Sequence, residues 1–199
     1  MPPTRYFFLY KPYLMLPQFS PVQGKQTLAN IPFKFPKDVY PVGRLDADSE
    51  GLLLLTNDTR VNHRLLNPDA RHPRAYLVQV EGEIKSSDCE RISQGVIISV
   101  DGKKYKTKPC KAEPVEEPDF LPERIPPIRF RKSVSDSWLK LTLTEGKNRQ
   151  VRKMTASVGF PTLRLVRYSI GDITIVGLQS GQVEELDGRA FYKMLSLGG

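Results

Sequence analysis

Metal-ligating and redox-active side chains are scarce in this chain, which has two cysteines and two histidines among 199 residues. Cys89 and Cys110 lie far apart, with neither CxxC nor Cys/His spacing, so neither a disulfide framework nor a zinc site is indicated. His63 and His72 fall on a predicted helix and the loop after it, with no matching ligand, and read as surface or partner-contact residues. No run of about 18 apolar residues occurs, and the start, Met-Pro-Pro-Thr-Arg-Tyr, lacks the pattern of a secretory signal. The sequence therefore points to a cytoplasmic protein with no membrane span. Acids are in deficit: 22 Asp and Glu stand against 30 Lys and Arg, a net charge of +8. That excess favours a polyanionic partner over an acidic small molecule. The 39% hydrophobic content suffices for a real core, and one domain covering residues 1–199 is expected.

The run FFLY at 7–10 reads as a buried strand ended by Lys11-Pro12. Leu52–Leu55, bounded by Gly51 and Thr56-Asn57-Asp58, reads as a central strand buried on both faces. Asn57 or Asp58 can then cap a helix from Thr59 to Leu66, stopped by Pro68. Residues 75–81 alternate, with Tyr76, Val78 and Val80 opposite Leu77, Gln79 and Glu81. Ser86-Ser87-Asp88 opens a short helix to about Gln94. The stretch from Val96 across Asp101-Gly102 to Lys103 and beyond predicts a hairpin whose turn needs positive φ. Prolines mixed with acids from Glu113 to Pro127 predict a stiff, irregular excursion. Residues 137–145 alternate again, and Val151, Met154, Thr155 and Val158 form one helical stripe closed by Gly159 and Pro161. Leu163–Tyr168 and Ile173–Val176 read as strands, and the tail from Arg189 as weakly helical. Strands outnumber helices without βαβ regularity, so the expected class is α+β, a mixed, largely antiparallel sheet with flanking helices.

The stretch GRLDADSEGLLLLTND places the carboxylate of Asp46 on a loop leading into a buried strand, a usual position for catalytic groups. On the residues alone, Asp46 is equally a turn or capping residue. Asp46 with Asp48 is also compatible with a metal-binding pair or a two-carboxylate hydrolase.

Gly43-Arg44-Leu45-Asp46 followed by Ser49-Glu50-Gly51-Leu52 resembles the signature loop of the RsuA/RluB/RluE/RluF family of ribosomal RNA pseudouridine synthases. The likeness continues in order through Lys11-Pro12-Tyr13, Tyr76-Leu77-Val78-Gln79-Val80, the block Glu145–Met154 and Leu163–Tyr168 followed by Gly171, so it spans roughly residues 5–188. The resemblance implies the pseudouridine synthase catalytic fold, with Asp46 as the catalytic carboxylate. It implies Arg152 as the cation that pairs with Asp46 and Tyr76 as the aromatic that packs on the flipped uracil. Leu165 or Val166 would form an apolar wall beside the base. Many relatives carry a small S4 RNA-binding domain ahead of the catalytic domain. Here the first strand begins near residue 6, so none is expected.

The implied reaction breaks the bond from ribose C1′ to N1 of uracil, turns the base and rejoins it through C5. Nothing is oxidised and no group is donated, so no cofactor and no metal are expected. From Lys140 to Ile170 the chain has seven basic residues, Lys140, Lys147, Arg149, Arg152, Lys153, Arg164 and Arg167, against the single acid Glu145. Arg149, Lys153 and Arg164 are expected to bind phosphate, and Arg44 to enter the space left by the extruded base. The expected partner is 23S ribosomal RNA, naked or partly assembled, with the protein acting as a monomer. A non-catalytic RNA-binding or ribosome-assembly factor on the same fold would keep the basic surface without needing Asp46.

Overall fold

The computed structural model describes residues 3–67, 72–128 and 135–197. The elements run β1 (Tyr6–Lys11), a 3-10 turn (Leu28–Asn30), β2 (Tyr40–Pro41), β3 (Glu50–Thr56), α1 (Thr59–Leu66), β4 (Arg74–Glu81), α2 (Ser86–Ser93), β5 (Ile97–Val100) and β6 (Lys103–Lys106). They continue with β7 (Lys111–Val115), β8 (Asp136–Leu143), α3 (Gln150–Ser157), β9 (Thr162–Ile170), β10 (Ile173–Thr174), β11 (Val183–Leu186) and α4 (Gly188–Met194). The fold is α+β, with a mixed, largely antiparallel sheet. The chain forms two compact units, Met1–His72 with Arg167–Gly199, and Pro73–Val166.

In the first unit, β1 pairs antiparallel with β11 on one side and β3 on the other, in the register Phe7↔Leu55 and Leu9↔Leu53. Every residue of β1 and β3 is buried. This agrees with the uninterrupted apolar runs, because only a strand covered on both faces tolerates them. Phe7, Leu9, Met15, Leu28, Val39, Leu45, Leu53 and Leu55 form one core.

Asp58 ties three elements of this unit together. It begins α1 by accepting the Arg60 N–H at 3.1 Å, and its Oδ2 accepts the Tyr6 hydroxyl of β1 at 2.9 Å and the Tyr192 hydroxyl of α4 at 2.6 Å. The Arg60 guanidinium also grips the carboxylate. Hydrogen bonding from Arg60, helped by the two phenols and opposed by burial, holds the Asp58 carboxyl well below the usual range. The stop expected at Pro68 lies outside the described residues.

In the second unit, β8 is flanked by β4 and β7, both antiparallel. Val78, Val80, Ile92, Leu139, Leu141, Val151, Met154 and Leu165 lie in its core. The two faces of β4 carry the expected residues, and Leu77, Val78, Gln79 and Val80 are all buried. Gln79 is accommodated because its amide donates to Asp136 at 2.6 Å. The excursion expected from Glu113 begins later, since Glu113–Val115 belong to β7. That strand ends the order β4-β8-β7, and an edge position tolerates Pro114, which has no N–H to give. The hairpin forms as expected, with Asp101 at φ 50° and Gly102 at φ 76°. The helix α4 confirms the weak signal from Arg189, whereas β11, with only Val183 and Leu186 apolar, was not legible.

Asp58→Asn keeps a helix cap but loses the charge that Tyr6, Tyr192 and Arg60 address, and should lower stability by about 2 kcal/mol at pH 7. The native carboxyl is depressed, so its contribution is complete above the unfolded carboxyl's pKa of about 4 and shrinks as pH falls below it. Urea unfolding at pH 7 and pH 3 should therefore show the gap between parent and variant narrowing at the lower pH.

Candidate active site

The loop that carries Asp46 is held by its backbone. Gly43 enters it at φ 70°, a backbone conformation that favours glycine, whereas the nearest atom to a Cβ there is the end of the exposed Leu66 side chain. A turn follows in which the Ser49 N–H donates to the Asp46 carbonyl at 3.0 Å. Leu45 is buried in the first unit's core, whereas Arg44 and Asp46 are exposed. The two polar side chains thus project from a loop whose intervening leucine is anchored.

Two buried cations grip this loop from beneath. Arg167, 5% exposed, donates from Nε to the Leu52 carbonyl at 2.7 Å and from Nη1 to the Arg44 carbonyl at 3.3 Å. Lys11, fully buried at the end of β1, gives its ammonium to the carbonyls of Pro12 and Met15 at 2.8 Å each and of Ala47 at 3.4 Å. Burial pushes the Lys11 ammonium down to about 7, with Arg167 acting in the same direction and Glu50, Asp48 and Asp46 opposing. Asp46 is therefore flanked by two backbone positions, 44 and 47, each tied to a cation. Neither Lys11 nor Arg167 shows this role in the sequence. The available signal was a lysine closing an otherwise unbroken buried run, where a charge needs dedicated partners.

The other residues singled out from the sequence lie in the second unit. Tyr76, half-buried on β4 opposite Leu141, packs against that unit's core. Arg149 stands at the head of α3 with φ 54°, exposed, and Lys153 follows one turn later, half-buried. Arg152, also half-buried, donates from Nη1 to the Thr162 carbonyl at 3.4 Å. One expected phosphate contact does not lie on the open surface. Arg164 is only 8% exposed and donates to the Pro122 carbonyl at 2.7 Å, so it restrains the loop after β7. Leu165 is buried among the core side chains of this unit. Both follow from β9, most of whose residues are buried. Among the described residues, no group of three or more His, Cys, Asp or Glu side chains could hold a metal ion, so Asp46 and Asp48 form no such cluster. No helix among them is long and apolar enough to cross a membrane.

Residues 5–157 match the family model described as RNA pseudouridylate synthase. A protein of Vibrio parahaemolyticus called ribosomal large subunit pseudouridine synthase E is 50% identical over 177 residues, covering 88% of this chain and 71% of that protein. One of the same name from Xanthomonas campestris is 49% identical, covering 92% of this chain and 95% of its own length. Among solved structures, a crystal structure of a pseudouridylate synthase superposes with a TM-score of 0.76 at 26% identity, over 98% of this chain and 75% of that one. A family match across three quarters of the sequence and relatives close to half identical over most of it place this chain in one family: it belongs to the RNA pseudouridine synthases.

Proposed function

We propose that this synthase converts a specific uridine of large-subunit (23S) ribosomal RNA to pseudouridine, with Asp46 as the catalytic carboxylate. The observation that carries the reading is the Asp46 loop, in which an exposed carboxylate is held between two backbone carbonyls that buried cations fix. A catalytic group needs this kind of restraint, since small errors of placement cost much of the rate. The ribosomal substrate is supported by the names of the two relatives described above.

The carboxylate of Asp46 either attacks ribose C1′, giving a covalent adduct, or removes the C2′ proton, giving a glycal. Either step frees uracil from its N1 bond. The base then turns and C5 bonds to C1′, which displaces Asp46 from the adduct or, on the glycal route, is accompanied by return of the proton to C2′; C5 loses its proton and N1 gains one. The product is an isomer of the uridine, with no net redox change and no group donated, so the chemistry requires no metal or organic cofactor. Following the resemblance, Arg152 serves as the counter-ion that keeps Asp46 ionised once RNA excludes water. Tyr76 gives an aromatic face to the extruded base, replacing part of its lost stacking.

Arg149 and Lys153 supply phosphate contacts, and Arg44, beside the carboxylate, fills the space that the base leaves. Arg164 contributes by holding the Pro122 carbonyl, and Leu165 by closing the core beneath the basic helix. The whole catalytic apparatus is assigned to one catalytic domain, acting as a cytoplasmic monomer.

Asp46→Asn preserves size and polarity but removes the charge, so pseudouridine formation on ribosomal RNA from cells lacking the enzyme should fall by roughly a thousandfold or more. RNA affinity and the melting curve should stay close to those of the parent, because the side chain is exposed. Robust turnover by a well-folded Asp46→Asn protein would remove Asp46 from the mechanism. Substituting Arg149 or Lys153 with alanine should weaken binding and lower the slope of log affinity against log salt by about one for each residue. Unaltered slopes over several salt concentrations would mean that the head of α3 does not face RNA.

A further inference from the structure

The most lysine-dense stretch of the chain plays no part in the mechanism above. Between Ile97 and Lys111 there are five lysines, at 103, 104, 106, 108 and 111, against the single acid Asp101, and all five are exposed. The register of the β5–β6 hairpin sorts its side chains into two faces. Ile98, Val100 and Tyr105 join the core of the second unit. The opposite face pairs Ile97 with Lys106 and Ser99 with Lys104. Ile97 is 62% exposed there, so folding alone gives this face no burial to perform. Lys104 and Lys106, two residues apart on one strand, project about 7 Å from each other, close to the separation of successive phosphates along a nucleic-acid strand.

This ribbon is fastened to the loop before α3. The Tyr105 hydroxyl donates to Glu145 at 2.5 Å, and the Lys108 N–H donates to the same carboxylate at 2.8 Å. Gln150 adds a third bond to it at 2.7 Å, and the Lys147 ammonium lies 5.0 Å over the Tyr105 ring. Burial pushes the Glu145 carboxyl up, but these hydrogen bonds outweigh it, so the group stays ionised. The only acid between Lys140 and Ile170 is thus committed to joining the hairpin to the basic loop, with three donors occupying it.

We infer that the outer face of the β5–β6 hairpin, with Lys104, Lys106 and Lys108, is a second RNA contact. It binds the phosphate backbone of the substrate away from the target uridine and forms one surface with Lys147 and Arg149. This rests on the reading that the head of α3 faces RNA. The partner is the same polyanion because the Glu145 clasp and the stacking of Lys147 on Tyr105 join the two basic tracts. The single exposed Ile97 gives a membrane too little apolar surface to enter.

The test is the affinity of the full-length protein for a large-subunit ribosomal RNA transcript, measured against salt for the triple variant Lys104→Gln/Lys106→Gln/Lys108→Gln. Affinity should fall about tenfold at moderate salt, and the salt slope should drop by about two, given roughly 0.7 to 0.9 per phosphate contact. A control, Lys25→Gln/Lys34→Gln/Lys37→Gln, removes the same charge from exposed positions of the first unit and should leave the slope unchanged. Parent-like affinity and slope in the hairpin variant, or an equal loss in the control, would overturn the inference. Arg149→Ala and Lys153→Ala measured alongside separate the two readings. If they weaken binding while the hairpin variant does not, the hairpin alone is excluded. If none of the variants weakens binding, the placement of the RNA face at α3 fails as well.

Discussion

The Asp46 loop depends on an exchange between buried cations and unpaired carbonyls. A loop that leaves regular structure beneath a surface has backbone oxygens in need of donors, and a cation withdrawn from water needs acceptors. Arg167 and Lys11 satisfy both needs at once. Arg167 binds the carbonyls of Arg44 and Leu52, spanning the loop from before Asp46 to the strand that follows it. Lys11 binds Ala47 on the other side of Asp46 and closes its own turn through Pro12 and Met15. Removing either cation would strand carbonyls, and opening the loop would strand a charge, so the two hold each other in place.

Much of this architecture could be read from the residues. The runs FFLY and LLLL admit no open face, so their burial follows directly, and Asp58 ahead of a short amphipathic segment marks the start of α1. Asp101-Gly102 indicates a tight turn because both residues tolerate positive φ. The failures share a cause. Residues 113–115 look like the start of an irregular stretch because Pro114 is a poor strand former, yet an edge strand can spare its N–H. β11 carries two adjacent glutamates, and partners rather than propensity make it a strand. The partner that lets Gln79 be buried, Asp136, faces Glu81 rather than Gln79 in the strand register, so no local pattern marks it.

The site was legible to a similar depth. Composition and spacing locate a carboxylate on a strand-bound loop and a cluster of cations near α3. The roles of Tyr76 and Arg152 come from family resemblance rather than from spacing. What a linear reading misses is which cations are used internally. Arg164 and Arg167 look like Arg149 in sequence, but two of the three are buried and spent on carbonyl groups. Conversely, Lys104 and Lys106 lie outside the most recognisable basic block yet remain fully on the surface. A net charge of +8 therefore understates how unevenly binding capacity is distributed.

Because the loop at Asp46 is gripped by its main chain, the grip is blind to side-chain identity at the points of contact. The ammonium of Lys11 meets Ala47 only through its carbonyl, which any residue provides. Spelling in the loop can therefore drift at such a position at little geometric cost, and one substrate preference could be exchanged for another by replacing side chains on a fixed frame. Length is a different matter. One inserted or deleted residue between 44 and 47 would move a carbonyl away from its cation, so this segment should accept changes of letter far more readily than changes of count.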